Sequence, residues 1–286
     1  MKNLSNENVI HVKKDGIEFL QFRKLLEYSE RINHAYCLGL DRNFRTETIS
    51  HTPLSQEQTD RAINDYKELT NAMGSSYKHV VKSRQRHTKN VKCVEIKTSE
   101  PEFCSEKYEN TDGLITNKSN VMLSTTNADC ILLLFFDPVK NVIANTHSGW
   151  RGTLQRISVE TIEKMKNEYG CNPKDIICCM CPSIRKCHFE VENEVKEEFE
   201  NEFKELPSYK FIEETEPNQK WNIDTIYINK EILKNAGLQE KNIIDSKLCS
   251  VCESDQIHSY RAEGENYGLT TALIEIKGWN LFWFLI

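Results

Sequence analysis

The chain has 286 residues, of which 38% are hydrophobic and 28% charged, and its net charge is −6. These values predict a globular chain with a sizeable core, and the acidic balance argues against a general nucleic-acid binder, which needs a basic face. No apolar run reaches the roughly 18 residues of a membrane span. Residues 1–14 lack the apolar stretch of a signal peptide, so the eleven cysteines predict reduced thiols in a cytoplasmic protein.

The amino-terminal part of the chain predicts scaffold elements. Two short strands flank a turn at Gly16. The clearest helix covers residues 55–74, where apolar residues recur at helical spacing. Ser55 and Gln58 form a capping-box pattern at its start, and Gly74 suits its end.

Two segments after this helix carry polar residues next to short apolar runs. Residues 80–88 place His87 in a basic loop, and a surface histidine is one interpretation of that position. Residues 111–116 read Thr-Asp-Gly-Leu-Ile-Thr. Because Asp-Gly followed by an alternating run is typical of a turn into a strand, we expect a structural role for this segment.

Residues 121–152 hold the densest group of reactive side chains. Three apolar runs, at 121–126, 131–136 and 141–146, predict buried strands. Loops at strand ends commonly present functional side chains. We therefore expect a Cys, an Asp, a His and an Arg to gather at one edge of a single sheet. They belong to the motifs Asn127-Ala128-Asp129-Cys130 and His147-Ser148-Gly149-Trp150-Arg151-Gly152.

One continuous helix is predicted directly after this stretch. Apolar residues from Leu154 to Tyr169 share one face, and Gly170 suits the C-terminal cap. Its N-terminus would lie beside His147 and Arg151. Free backbone N–H groups and the positive end of the helix dipole would then favour an anionic substrate group such as phosphate.

The carboxy-terminal third predicts a buried strand at 176–181, a helix with apolar residues from Val191 to Phe203, and a shorter helix that Asp224 caps. A strand at 272–276 and an apolar tail at 279–286 close the chain. The tail would pack either on the core or at an oligomer contact.

The cysteines of this third raise the question of a second, four-thiolate zinc site. Cys249-x-x-Cys252 has the usual ligand spacing, but a lone pair of this kind is a weak signal. Cys178 and Cys179 lie inside an apolar run. We therefore expect small buried side chains rather than a second metal. The residues considered are Cys178, Cys179, Cys181, Cys187, Cys249 and Cys252.

Several of these motifs together resemble the signature of the YfiH-type family, long labelled multicopper polyphenol oxidoreductase (laccase). The resemblance covers roughly residues 30–276. It implies a single domain over 1–286 with an α+β fold, a layered α/β sandwich of the YfiH-like type. Alternating strands and helices alone indicate only a mixed α/β chain. The motifs are Gln85-Arg86-His87, Asp112-Gly113, Asn127 to Cys130, His147 to Gly152, Pro182-Ser183-Ile184, Cys187 to Val191, Cys249 to Cys252 and Ser259-Tyr260-Arg261.

The resemblance also implies that His87, Cys130 and His147 hold Zn²⁺. Two imidazoles and one thiolate are a donor set that zinc accepts, and three protein ligands leave a fourth position open for catalysis. The family's older laccase label fits less well. Eight histidines without any His-x-His pair argue against multicopper oxidase activity.

Three further side chains are candidates for the reaction. If the carboxylate of Asp129 faces the site, it orients a ligand histidine or transfers a proton. The alternative is a structural role in the loop. Arg151 is a candidate phosphate clamp, with an ion pair at the start of the following helix as the alternative. Arg261 is a candidate for substrate binding, with a structural ion pair as the alternative.

The leading hypothesis from the resemblance is a zinc-dependent purine nucleoside enzyme. It would carry out phosphorolysis of adenosine, inosine or methylthioadenosine, with purine nucleoside and phosphate as small-molecule partners, and it would deaminate adenosine. A second hypothesis is a zinc or cysteine hydrolase that edits UDP-muramoyl peptide precursors of the cell wall, with Cys130 as nucleophile and His147 as base in the cysteine variant. A third is a non-catalytic protein stabilised by zinc. Family positions that differ here, such as Cys181 and Leu269, keep the third hypothesis open.

Overall fold

The structure is a computed structural model, and it describes residues 2–47, 54–95, 101–103, 105–217 and 219–278. The tail at 279–286, for which we expected packing on the core or at an oligomer contact, lies outside the described residues. In chain order the strands are β1 (Val9–Lys14), β2 (Ile17–Phe22), β3 (Ile32–Cys37), β4 (Val80–Lys82), β5 (Val91–Cys93), β6 (Gly113–Thr116), β7 (Met122–Asn127), β8 (Ile131–Asp137), β9 (Val142–Ser148), β10 (Ile177–Met180), β11 (Glu190–Glu192), β12 (Ile212–Glu216), β13 (Lys220–Ile223), β14 (Ile243–Asp245) and β15 (Thr270–Ile276).

The helices range in length from four to 17 residues. The complete set in the described residues is α1 (Arg23–Leu26), α2 (Gln56–Ala72), α3 (Trp150–Leu154), α4 (Ile157–Tyr169), α5 (Asn193–Glu202), α6 (Ser208–Phe211), α7 (Thr225–Asn235) and α8 (Tyr260–Glu263).

The strands form two six-stranded sheets and one three-stranded sheet. The first sheet has the order β1-β2-β3-β15-β7-β4, and the second has the order β14-β10-β8-β9-β6-β5. The small third sheet has the order β11-β13-β12. Most neighbouring strands are antiparallel, and the parallel pairs β4–β7, β5–β6 and β10–β14 lie at the sheet edges.

The two large sheets pack face to face between helices, and strand β8 shows why. Alternate residues of β8 face opposite layers, so that a continuous apolar run is buried on both sides. Leu132 and Leu134 contact the first sheet, whereas Leu133 and Phe135 contact α4 and α7. Helix α2 covers the outer face of the first sheet. The result is a layered α/β/β/α sandwich, as the resemblance implied.

Several local expectations are confirmed by this architecture. The side chain of Ser55 accepts the backbone N–H of Gln58, whose own side chain completes the capping box of α2. Asp224 caps α7 by accepting the backbone N–H of Tyr227 at 2.8 Å. Cys178 and Cys179 are fully buried on opposite faces of β10, as expected for small apolar side chains.

Two expectations about the central stretch are wrong. Strand β7 belongs to the first sheet, whereas β8 and β9 belong to the second, so 121–152 does not form one sheet. The predicted continuous helix is broken after α3, because Arg156 adopts the left-handed conformation at φ 55°. The helix N-terminus beside the site therefore belongs to a helix of only five residues, and its dipole contributes little there.

The crossover between the sheets positions the candidate site. The chain leaves β7 at Asn127 and enters β8 at Ile131, passing from one sheet to the other through residues 128–130. Asp129 adopts φ 86° in this turn.

In the described part of the chain, no helix combines the length and the apolar composition that crossing a membrane requires.

Candidate metal centre and adjoining pocket

His87, Cys130 and His147 converge at the edge where the two large sheets meet. Their ligand atoms all lie within 4.8 Å of one another. The Sγ of Cys130 is 3.8 Å from Nε2 of His87, and the two imidazole rings are nearly perpendicular with centroids 4.9 Å apart. A sulfur and a nitrogen on one tetrahedral zinc lie about 3.6 Å apart, so this spacing fits a shared ion.

Asp112 fixes both histidines of this cluster. Its Oδ1 lies 2.8 Å from Nδ1 of His147, which directs the Nε2 of that ring toward Cys130. The carboxylate also accepts the backbone N–H groups of Arg86, His87 and Thr88 at 2.9 to 3.2 Å. Burial on its own raises the pKa of Asp112, but the bonds from His147 and Thr88 outweigh it and lower that pKa to about 2.

Sequence reasoning did not identify Asp112, for which we expected a plain structural turn. The residue precedes β6, and β6 pairs with β9 so that Gly113 lies opposite Thr146. That pairing places Asp112 beside His147, 35 residues along the chain. The family motif at residues 112–113 was a signal for this segment, but the role of Asp112 beside His147 depends on the pairing of β6 with β9, which the local sequence does not contain.

The loop that carries His87 has a strained backbone that its neighbours hold in place. His87 adopts φ 59°, in the left-handed region that disfavours side chains with a Cβ. The preceding Gln85 pairs with the backbone of Thr126, donating to its carbonyl oxygen at 2.7 Å and accepting its N–H at 2.8 Å. This pair ties the loop to β7 and presents the His87 ring to the cluster.

Gly149 leaves room for the cluster. A Cβ at this position would lie 2.6 Å from Cδ2 of His87 and 3.1 Å from Sγ of Cys130. Contacts under 3.0 Å are essentially never tolerated, so a side chain at Gly149 would displace the His87 ring. Steric contact with the His87 ring therefore explains why a glycine occupies this position of the His-Ser-Gly-Trp motif.

The charges around Cys130 favour its thiolate. Burial by itself raises the pKa of this thiol, but His147 and His87 outweigh burial and bring the pKa to about 6. In the other direction, burial lowers the pKa of His147, yet Cys130 and Asp112 raise it to about 9. Since the thiolate is the form that binds metals and attacks electrophiles, the site holds its cysteine ready at neutral pH.

Asp129 lines the pocket, but protein donors engage both oxygens of its carboxylate. Its Oδ1 accepts the hydroxyl groups of Ser250 and Ser259 at 2.5 and 2.7 Å, and its Oδ2 accepts the backbone N–H of Arg261 at 2.7 Å. Both carboxylate oxygens are thus engaged in joining the sheet crossover to two later loops. This geometry favours the loop role among the alternatives that the sequence left open.

A pocket of about 430 Å³ opens beside the cluster. This volume falls in the range of small-molecule sites, roughly 300 to 1,000 Å³. His87 and Cys130 reach its surface, and four aromatic rings are among the other side chains of its wall. The rings are those of Trp150, Phe189, Tyr260 and Tyr267.

The two candidate arginines occupy different places. Arg261 lines the pocket, and its guanidinium donates to the carbonyl oxygen of Glu190 at 3.0 Å. Arg151 is exposed and is not among the residues that line this pocket. Its guanidinium lies 4.0 Å from the centroid of the Trp150 ring. The structure therefore brings Arg261, and not Arg151, to the pocket wall.

Residues 48–277 match the model of a family described as multi-copper polyphenol oxidoreductase laccase. A human relative, purine nucleoside phosphorylase LACC1, is 29% identical over 248 residues, covering 82% of this chain and 54% of the relative. The chain thus spans about half the length of that protein. Adenosine deaminase RL5, from an unknown prokaryotic organism, is 29% identical over 73% of this chain and 80% of its own length.

A solved structure shows the same fold. The crystal structure of the Bacillus licheniformis hypothetical protein YfiH superposes with a TM-score of 0.77, covering 91% of this chain and 96% of that chain. The two sequences are 22% identical across this superposition.

Proposed function

The chain belongs to the multi-copper polyphenol oxidoreductase laccase family, and on this basis we propose that it is a zinc-dependent purine nucleoside enzyme. In phosphorolysis, the N-glycosidic bond of adenosine, inosine or methylthioadenosine breaks and phosphate bonds to C1′, which gives the free base and the sugar 1-phosphate. In deamination, water replaces the amino group at C6 of adenosine and ammonia leaves. The observation that carries this proposal is a three-ligand cluster of which two members, His87 and Cys130, line a pocket that also contains four aromatic rings.

His87, Cys130 and His147 would hold the zinc ion. The donor set of two nitrogens and one sulfur fits zinc, and three protein ligands would leave one coordination position open. Bound zinc would supply a Lewis acid that lowers the pKa of water to about 7. Asp112 keeps the His147 ring in the tautomer and orientation that a ligand needs.

The pocket residues would bind the remainder of the substrate. A purine has two apolar faces, and Phe189 and Tyr260 offer aromatic surfaces against which such a base can stack. Arg261 would bind phosphate or a ribose oxygen through charge-assisted hydrogen bonds. Asp129 would position Arg261, because it accepts the backbone N–H of that residue. This assigns the anion-binding role to Arg261 instead of Arg151.

Cysteine catalysis is a second candidate, and one observation favours it. The pKa of Cys130 near 6 and its contact with two histidines resemble the thiolate–imidazole pair of a cysteine hydrolase. In that case the thiolate would attack an amide carbonyl, as in the editing of a UDP-muramoyl peptide. Chelators would leave such an enzyme active, whereas thiol alkylation would inactivate it. A multicopper oxidase is less well supported, because only two imidazoles gather at this cluster in the described chain.

The test is an assay of purified, metal-analysed protein with inosine or adenosine, with and without phosphate. Release of free base should depend on phosphate, and it should be lost in Cys130→Ala. Cys93→Ala is the matched control, because Cys93 lies in β5 away from the pocket and should leave turnover unchanged. No nucleoside turnover from folded, zinc-loaded protein would contradict the proposal.

A further inference from the structure

A second group of metal-binding side chains lies apart from the pocket cluster. Cys187 and His188 precede β11, and Cys249 and Cys252 follow β14. One ligand atom from each lies within 4.8 Å of the others. The sequence provided a lone Cys-x-x-Cys pair as a weak signal, and folding adds a third thiol and an imidazole from 62 residues earlier in the chain.

Four distances within this group match those between ligands on a single tetrahedral ion, and a fifth, between Nδ1 of His188 and Sγ of Cys187, is shorter at 3.2 Å. The Sγ of Cys187 is 3.7 Å from that of Cys249 and 4.0 Å from that of Cys252. Two thiolates bound to one zinc at about 2.3 Å each lie about 3.8 Å apart. The Nδ1 of His188 is 3.6 Å from Sγ of both Cys249 and Cys252, where the expected separation of nitrogen and sulfur is about 3.6 Å.

We propose that Cys187, His188, Cys249 and Cys252 bind a second zinc ion with a structural role. Four protein ligands complete a tetrahedral shell and leave no position for substrate, which is the property that separates structural from catalytic zinc sites. Three thiolates and one imidazole are a common structural set, and soft sulfur donors select zinc over magnesium or calcium. This site shares no ligand with the cluster of His87, Cys130 and His147.

The second ion would join two segments that build the pocket wall. Phe189, directly after His188, lines the pocket. Ser250, directly after Cys249, donates its hydroxyl to Asp129 at the sheet crossover. Ser183, four residues before Cys187, forms an isolated backbone β-bridge with Cys249. Zinc would therefore fix the distance between the loop of Phe189 and the loop that supports Asp129.

Metal content gives the first test of this inference. Wild-type protein should bind two zinc ions per chain, and Cys130→Ala should keep one. The double variant Cys187→Ser and Cys252→Ser should also keep one, and it should melt at a lower temperature than wild type. Cys93→Ser is the control for the loss of a thiol and should keep both ions. Cys187 and Cys252 are exposed, so their replacement by serine removes no core packing.

Cobalt substitution distinguishes the two sites directly. Thiolate-to-cobalt charge-transfer absorption grows with the number of bound thiolates, which is three at the second site and one at the first. Cys130→Ala loaded with Co²⁺ should keep most of the wild-type absorption, whereas His188→Ala should change the band shape and weaken cobalt binding. His188→Ala also serves if the double variant does not fold.

The outcomes separate this inference from the proposed function. One zinc ion in wild type and none in folded Cys130→Ala would overturn the second site, whatever the nucleoside activity. Oxidised protein in which Cys187 pairs with Cys249 or Cys252, with no zinc uptake after reduction, would also overturn it. Two ions per chain without nucleoside turnover would leave the second site supported and would contradict only the proposed function.

Discussion

Oδ1 of Asp112 lies 2.8 Å from Nδ1 of His147, and both groups are almost fully buried. The same oxygen accepts the backbone N–H of His87 at 3.0 Å. One carboxylate thus orients two of the three proposed ligands, although it contributes none itself. Partners of this kind increase ligand basicity and fix the ring that binds the metal.

Asp112→Asn should weaken zinc binding at the pocket cluster by about 10- to 100-fold. The neutral amide oxygen is a weaker acceptor for the Nδ1–H of His147, and the amide NH2 would face the backbone N–H groups of Arg86 and Thr88 that Oδ2 now accepts. The measurement is a competition titration of metal-free protein with a zinc chelator. Asp15→Asn is the control, since Asp15 is exposed in a turn at φ 53° that asparagine also adopts. Equal zinc affinity in Asp112→Asn and wild type would refute the orienting role.

Gly149→Ala should abolish zinc binding at the pocket cluster while the protein remains folded. The added methyl group would lie 2.6 Å from the His87 ring, so the ring must shift from its position beside Cys130. Gly152→Ala in the same motif is a matched control, because its Cβ meets nothing closer than 3.4 Å. Metal content and circular dichroism of both variants provide the measurement. Full zinc occupancy in Gly149→Ala would contradict the steric argument.

Alkylation of Cys130 in metal-free protein should become faster as pH rises through about 6, because the thiolate forms above its lowered pKa. The rate can be followed by mass spectrometry of the Cys130 peptide after exposure to iodoacetamide. Cys93, whose pKa burial raises, serves as an internal control and should react only at more alkaline pH. A midpoint for Cys130 near 9 would show that His147 and His87 do not stabilise its thiolate.

Arg261→Ala should raise KM for phosphate by about 10- to 100-fold, the usual consequence of losing a charge-assisted hydrogen bond worth roughly 1.5–3 kcal/mol. Arg151→Ala should leave this KM nearly unchanged, since Arg151 lies over Trp150 outside the pocket lining. Steady-state kinetics at varied phosphate concentration compares the two variants. The opposite ranking would restore the anion-binding role that the sequence favoured for Arg151.

Local patterns in the sequence predicted the elements whose formation depends on near neighbours. The apolar run of β8 and the capping box of α2 both appear where expected. The family motifs led to the hypothesis that His87, Cys130 and His147 bind one metal ion. In the structure their ligand atoms lie within 4.8 Å of one another.

Features that depend on strand pairing could not be read from local patterns. Asp112 contacts His147 only because β6 lies beside β9.

The break in the helix at Arg156 was not predicted either. Apolar periodicity continues across the break, while Arg156 alone adopts a left-handed conformation. Cys187 contacts Cys249 across 62 residues of sequence. The sequence pattern therefore showed only the Cys249-x-x-Cys252 pair of the second metal-binding group.

The proposed function requires the pocket cluster to be a catalytic zinc site for purine nucleosides. The most direct measurement follows phosphorolysis of inosine by metal-depleted protein while zinc is added back. Activity should be absent after depletion, should return with zinc, and should not return in Cys130→Ala. Activity that survives complete zinc removal, or that zinc restores equally in Cys130→Ala, would contradict a catalytic role for zinc at this cluster.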